Sequence, residues 1–90
     1  GSPPWPADLV LLDPPYATAE AAVSAVLARL VEGGLLAADA VVVVERSARS
    51  PEPSWPEGLL VRGVRRYGET ALWTANATPW PDPALLRSAP

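Results

Sequence analysis

The sequence predicts an α/β fold in the order strand, helix, strand and hairpin. Two strand-like segments, 9–13 and 41–44, are apolar enough to be buried in a parallel sheet. Between them, residues 18–32 place apolar side chains at helical spacing. Farther along, 59–66 and 70–75 alternate apolar with basic or Thr residues, as hairpin strands do. This order predicts half of an α/β sheet, with a parallel crossover followed by an antiparallel edge.

The predicted helix has signals at both ends. Thr18 is a candidate N-cap, and Glu20 suits the positive end of the helix dipole, although its side chain is expected at the solvated surface. Gly33 and Gly34 supply the stop. Asp39 is expected in the turn that leads into the second strand.

The first predicted strand is apolar, yet no segment before it could cover its second edge. Natural proteins avoid exposed apolar edge strands because such strands pair with other chains. We therefore expect either self-association or a missing N-terminal half of the same protein as the partner, and we favour the second.

The composition of the chain excludes several classes of protein. Ninety residues make one small domain, and a net charge of −3 is wrong for a free-standing nucleic-acid binder. Zero Cys excludes disulfides, and the acidic residues show no metal-ligand spacing. The sequence shows neither a basic–apolar leader nor an apolar run of the roughly 20 residues that a membrane helix needs. A cytoplasmic location is expected.

The strongest chemical signal is Asp13-Pro14-Pro15-Tyr16, directly after the first strand. Prolines stiffen the chain and lack N–H groups, so their carbonyls should be free to accept hydrogen bonds. Because an ionised carboxylate only accepts, Asp13 and the Pro14 carbonyl could hold both hydrogens of an exocyclic amine. Tyr16 could stack on the ring and leave the nitrogen lone pair aimed at a methyl donor. The alternative is that these residues have no role in binding and form only a turn that leads into the helix.

Two further groups of side chains have competing interpretations. Arg62, Arg65 and Arg66 form the only basic cluster, which is either a phosphate contact or, more commonly, a solvated strand face. Trp55 and Trp73 are expected to pack in the core rather than to stack on bases.

Over four segments the chain resembles the C-terminal half of the RsmD family, the bacterial 16S ribosomal RNA guanine-N2 methyltransferases. These segments are Asp8–Tyr16, Gly34–Leu36, Val43–Ser47 and Arg66–Leu72. The resemblance covers about residues 7–75. Many amino-group methyltransferases share Asp-Pro-Pro-Tyr, whereas Glu-Arg-Ser and Arg-Tyr-Gly-Glu-Thr-Ala-Leu narrow the resemblance considerably.

The resemblance implies a class I, Rossmann-like methyltransferase sheet that uses S-adenosylmethionine and acts on 16S ribosomal RNA in the small subunit. It implies that Asp13, Pro14, Pro15 and Tyr16 form the catalytic grip on the flipped guanine, with Asp13 and Pro14 also facing the cofactor. Further substrate contacts are expected at the end of the next strand and in the hairpin, from Glu45, Arg46, Ser47, Arg65 and Arg66.

Composition and the resemblance together divide the chain into three parts. Residues 1–8 are an expression-vector remnant with a Pro-rich lead-in, 9–75 a partial methyltransferase catalytic domain, and 76–90 a Pro-rich tail whose Leu and Trp side chains could dock. The glycine-rich cofactor loop belongs to the family's N-terminal half and does not occur in this sequence. The 90-residue chain alone is therefore expected to be inactive.

Three alternatives remain open at the level of sequence. DNA adenine-N6 methyltransferases use similar motifs with Asp or Asn first. A non-catalytic module could dock on RNA or protein through the 62–67 edge. The chain could also be a folding unit without activity.

Overall fold

The computed structural model describes residues 6–15 and 17–78. In these ranges the elements are β1 (Ala7–Leu12), α1 (Glu20–Glu32), β2 (Leu36–Ser47), β3 (Leu59–Tyr67) and β4 (Thr70–Ala77). The strands form a four-stranded sheet in the order β1-β2-β4-β3. Strand β1 runs parallel to β2, and the other two pairings are antiparallel. The predicted α/β architecture, a partial sheet with a hairpin at its edge, is confirmed.

The core lies between α1 and one face of the sheet. Side chains alternate between the two faces along a strand, so every second residue of β2 and β4 points toward the helix. Two α1 residues, Val23 and Leu27, pack with these strand residues. The buried members contributed by the sheet are Leu36, Ala40, Val42, Val44, Leu59, Ala71, Trp73, Ala75 and Ala77. Trp55 packs partly buried against them, so both tryptophans pack as predicted.

Strand β1 is not the fully buried strand that its composition predicted. Val10 and Leu12 pack against the core, but Leu9 is 58% and Leu11 68% exposed. Within the described ranges α1 covers one face only, and β1 pairs on one side only, with β2. We call the face opposite α1, which carries Leu9, Leu11 and Val43, the open face.

Helix α1 begins two residues later than predicted. Its N-cap is Ala19, which has no side-chain acceptor, and the predicted cap Thr18 lies outside the helix. The end of the helix follows the prediction. Gly34 adopts φ 65°, and the N–H groups of Gly34 and Leu35 donate to carbonyls of the last turn at 3.2 and 3.1 Å, as in a Schellman motif. Among the described residues no helix is long and apolar enough to cross a bilayer.

Strand β2 is longer than predicted because Asp39 lies inside it rather than in a preceding turn. Asp39 has φ 62°, and the pairing of β1 with β2 shifts register beside it, which marks a β-bulge. Asp tolerates this left-handed conformation better than most residues. The hairpin turn is as predicted, with Gly68 at φ 57° between β3 and β4.

Candidate functional site at the carboxyl edge of the sheet

The carboxylates of Asp13 and Glu45 meet where β1 and β2 end. Leu12 pairs with Val44, so the residues that follow them lie side by side. The two carboxyl groups are in hydrogen-bond contact, and this contact, followed by desolvation and the charge of Asp13, raises the pKa of Glu45 above its ordinary 4.5. In open α/β sheets, ligands bind outside the carboxyl ends of the strands. The structure thus brings two of the predicted site residues together at the expected edge.

Arg65 shares a cross-strand row with this pair. Leu72 of β4 pairs with Glu45 on one side and with Arg65 on the other. With strands about 4.8 Å apart, the backbones of Glu45 and Arg65 are roughly 10 Å apart across Leu72. A side-chain hydrogen bond with Tyr67, two residues farther along β3, raises the pKa of Arg65, so its guanidinium stays charged. The row presents two carboxylates, an apolar residue and a cation on the open face.

A groove of about 390 Å³ crosses the open face beside this row. It is lined by Val43, Arg62, Gly63, Val64, Arg65, Leu72 and Thr74. Its apolar lining could accept a planar ring, while its two arginines favour an anion. Arg62 is held in place because its Nε donates to Asn76 Oδ1 at 2.8 Å.

Arg46 does not share the open face with Glu45, contrary to the prediction. Neighbours in a strand point to opposite faces, so Arg46 turns toward α1 and is only 1% exposed. Its Nη2 donates to Glu20 Oε1 at 2.6 Å and to the Thr18 carbonyl at 3.0 Å. Arg46 thereby ties the segment that joins β1 to α1 onto β2. In this arrangement it positions the loop after Asp13 instead of reaching a ligand on the open face.

Glu20 is the functional neighbour that sequence reasoning missed. It was expected at the solvated surface, yet it pairs with the buried Arg46 from a position 26 residues away. No spacing rule connects residues that far apart. The available signal was the charged Arg46 at an inward position of an otherwise apolar strand, which required a buried partner.

The remaining predicted contacts have mixed placements. Ser47 Oγ accepts the N–H of Arg49 at 3.2 Å and so closes the turn after β2. Arg66 lies on the helix side of β3, with its guanidinium 5.9 Å from the centre of the Trp73 ring. The two adjacent arginines of the basic cluster therefore point to opposite faces, and Arg65 alone of this pair borders the groove.

The proline pair is only partly available to a ligand. The Pro15 carbonyl, predicted to be free, accepts the N–H of Thr18 at 2.9 Å and closes a turn. Pro14 is half-buried, and its carbonyl stays a predicted acceptor. Tyr16, like the tail from 79 to 90 and its predicted docking, lies outside the described residues, so its stacking also stays a prediction.

The raised pKa of Glu45 predicts a pH-dependent stability. A carboxyl whose pKa is higher in the folded state stabilises the fold at low pH and loses that contribution as pH rises through its folded pKa. Glu45 should therefore add a downward slope to the dependence of melting temperature on pH above about 4.5, across its raised pKa, because its carboxylate then forms beside Asp13. Circular dichroism melts at stepped pH values would measure this.

Glu45→Gln should flatten that slope, since it removes one of the two charges. Glu57→Gln, an exposed change in the loop before β3, is the matched control and should leave the slope intact. An identical slope in Glu45→Gln and the parent protein would contradict the assignment.

Residues 2–76 match the protein family described as conserved hypothetical protein 95, an RsmD-like family. The chain belongs to this family. The match spans β1, α1, β2 and β3 and all but the end of β4, so it includes both strand ends that carry the carboxylate pair. A comparison with curated proteins found no significant match.

Solved structures support the same assignment. A candidate methylase from Haemophilus influenzae is 25% identical, with a TM-score of 0.65, and the match covers 80% of this chain and 43% of that protein. A conserved hypothetical protein from Streptococcus pyogenes is 26% identical, with a TM-score of 0.68 and coverages of 82% and 46%. A candidate methyltransferase from Escherichia coli, at 23% identity, shares the fold with a TM-score of 0.67 and coverages of 83% and 40%.

The chain thus spans less than half the length of each of these three proteins. Its sheet is a partial Rossmann-like methyltransferase fold.

Proposed function

We propose that the protein containing this sequence methylates the exocyclic N2 of a guanine in 16S ribosomal RNA, with S-adenosylmethionine as the donor. The observation that carries the proposal is the meeting of Asp13 and Glu45 at the carboxyl edge of the sheet, in a chain of this family. A bacterial, cytoplasmic role in ribosomal RNA processing follows from the same proposal.

The chain's own residues account for the grip on the amine. Asp13 is exposed at the strand end and, with the Pro14 carbonyl, accepts the two N–H bonds of the guanine amine. Held this way, the nitrogen presents its lone pair away from both acceptors, and the attack geometry is fixed before reaction. Asp13 is also placed to receive the proton that the amine loses on methylation. Tyr16 follows the prolines and supplies the stacking surface.

The residues present fit the target side of such a site better than the cofactor side. S-adenosylmethionine supplies an electrophilic methyl group when bound, and Asp13 and Pro14 would face it. The two strand-end carboxylates, Asp13 exposed and Glu45 half-buried, suit a ligand that donates N–H groups. The two helix-ending glycines, Gly33 and Gly34, cannot replace a glycine-rich loop that opens a helix, since they follow one. We therefore propose that the remaining protein completes the cofactor site and that the 90-residue chain alone is inactive.

Transfer of a labelled methyl group tests the proposal. The protein containing this sequence is incubated with radiolabelled S-adenosylmethionine and, in parallel, with naked 16S RNA, small ribosomal subunits and duplex DNA. Label in N2-methylguanine from RNA or subunits supports the proposal. Label in N6-methyladenine from DNA would instead support the DNA enzyme, and RNA binding without label would support a binding module.

The placements of Arg65 and Arg66 predict different effects on RNA binding. Arg65→Gln should weaken binding and lower the slope of log affinity against log salt by about one, as expected for one lost phosphate contact. Arg66→Gln should change that slope less, because its guanidinium lies over Trp73 on the other face. Mobility shifts over a salt series measure both slopes. Equal effects of the two variants would contradict the assignment of Arg65 to the open face.

A further inference from the structure

We propose that Glu45 selects guanine over adenine by accepting a hydrogen bond from N1–H of the target base. The inference rests on the proposed function, since it concerns the base whose amine is methylated. Enzymes that extrude a base from the stack read its Watson–Crick edge by hydrogen bonds. On that edge guanine presents three neighbouring donor hydrogens, one at N1 and two at N2. Adenine presents two at N6 and an acceptor at N1.

The strand ends offer a matching set of acceptors. Asp13 and the Pro14 carbonyl take the two amine hydrogens under the proposed function. The Glu45 carboxylate is the next acceptor, and it lies beside Asp13 because the residues before them, Val44 and Leu12, pair across the two strands. A third acceptor beside the first two complements guanine. It opposes adenine, whose N1 lone pair would meet a carboxylate.

The surroundings of Glu45 keep its carboxylate available to the base. Its sequence neighbour Arg46 is buried on the opposite face and bound to Glu20, so it does not neutralise Glu45. Arg65 is separated from it by Leu72 in the same row. Two adjacent carboxylates repel each other, and a base that donates to both relieves that repulsion. The N1 contact also draws the N1 proton toward Glu45 and leaves the ring and its amine richer in electrons.

Base analogues in the target RNA test the inference. The unsubstituted protein containing this sequence, called the parent, is assayed on three RNAs that differ only in the target base. That base is guanine, 2-aminopurine or 6-thioguanine. The 2-aminopurine base keeps the 2-amino group but has an acceptor at N1, whereas 6-thioguanine keeps N1–H and changes only position 6. The parent should prefer guanine to 2-aminopurine by roughly 10- to 100-fold in kcat/KM. It should accept 6-thioguanine nearly as well as guanine.

Glu45→Gln should bring the preference for guanine over 2-aminopurine close to one, because a side-chain amide donates to N1 as readily as it accepts. Glu57→Gln, exposed and distant in the chain, should keep the parent's preference. A folded Glu45→Ala variant, confirmed by circular dichroism, should lose the preference without gaining on 2-aminopurine. Parent protein that methylates guanine and 2-aminopurine equally well would overturn the inference and leave the proposed function standing. Absence of methylation at guanine in every protein would overturn the proposed function itself.

Discussion

Asp13→Ala should lower methyl transfer by roughly 10²- to 10⁴-fold in kcat/KM, the range expected for loss of one positioned acid–base group. The alanine removes the acceptor that orients the amine and receives its proton. Asp13→Asn keeps one acceptor oxygen, that of the amide, at the same place, so its kcat/KM should fall less. Radiolabel transfer at a series of RNA concentrations gives kcat and KM separately.

Misfolding would not explain such a loss. Asp13 is exposed, and its hydrogen bond and its charge both disfavour the ionised form of Glu45, so its removal relieves a repulsion once Glu45 is ionised. The variant should therefore melt no lower than the parent above the pKa of Glu45. Asp8→Ala, an exposed acid near the other end of β1, is the control and should keep full activity. If the activity of Asp13→Ala were within a few-fold of that of Asp8→Ala, Asp13 would not be the residue that binds the amine.

The order of elements could be predicted because each depends on local pattern. The apolar runs, the helical stripe and the glycine turns report on neighbours within a few residues, and all of them appear in the structure. The exposure of β1 could not be predicted in the same way. Leu9 and Leu11 have the composition of a buried strand, but burial depends on what covers the open face. That is a property of the assembled fold and not of residues 9–13.

The candidate site shows the same division between local and non-local information. Asp13 and Glu45 were expected near each other because both follow parallel strands, and strand ends in a parallel pair lie at one edge. The family resemblance placed Arg46 beside Glu45 at the same pocket. Adjacent side chains of a strand point to opposite faces of the sheet, so Arg46 points away from the face that carries Glu45. The pairing of Arg46 with Glu20 could not be predicted, because it depends on how α1 packs on the sheet.

Glu20→Ala should destabilise the fold strongly, because it leaves the charge of Arg46 buried without a counter-ion. Removing one partner of a buried ion pair costs about 3–5 kcal/mol, and the 38% exposure of the Glu20 side chain reduces this to roughly 2–3 kcal/mol. Urea unfolding would report it as a lower midpoint. Glu32→Ala, in the exposed last turn of α1, is the control and should change stability by no more than about 0.5 kcal/mol.

The double variant Glu20→Ala/Arg46→Met decides whether the buried charge is the cause. Among the residues that the structure describes, Arg46 Nε and Nη1 and Glu20 Oε2 have no hydrogen-bond partner, so the pair is incompletely compensated there. Replacing such a pair by apolar side chains is often neutral or stabilising. The double variant should therefore unfold near the parent's urea midpoint, well above Glu20→Ala. It should still lose methyl transfer, because the tie from Arg46 to the Thr18 carbonyl is gone and the loop after Asp13 is released. A double variant as unstable as Glu20→Ala would show that Glu20 stabilises α1 by itself, for instance through the helix dipole, and that Arg46 has no part in the effect.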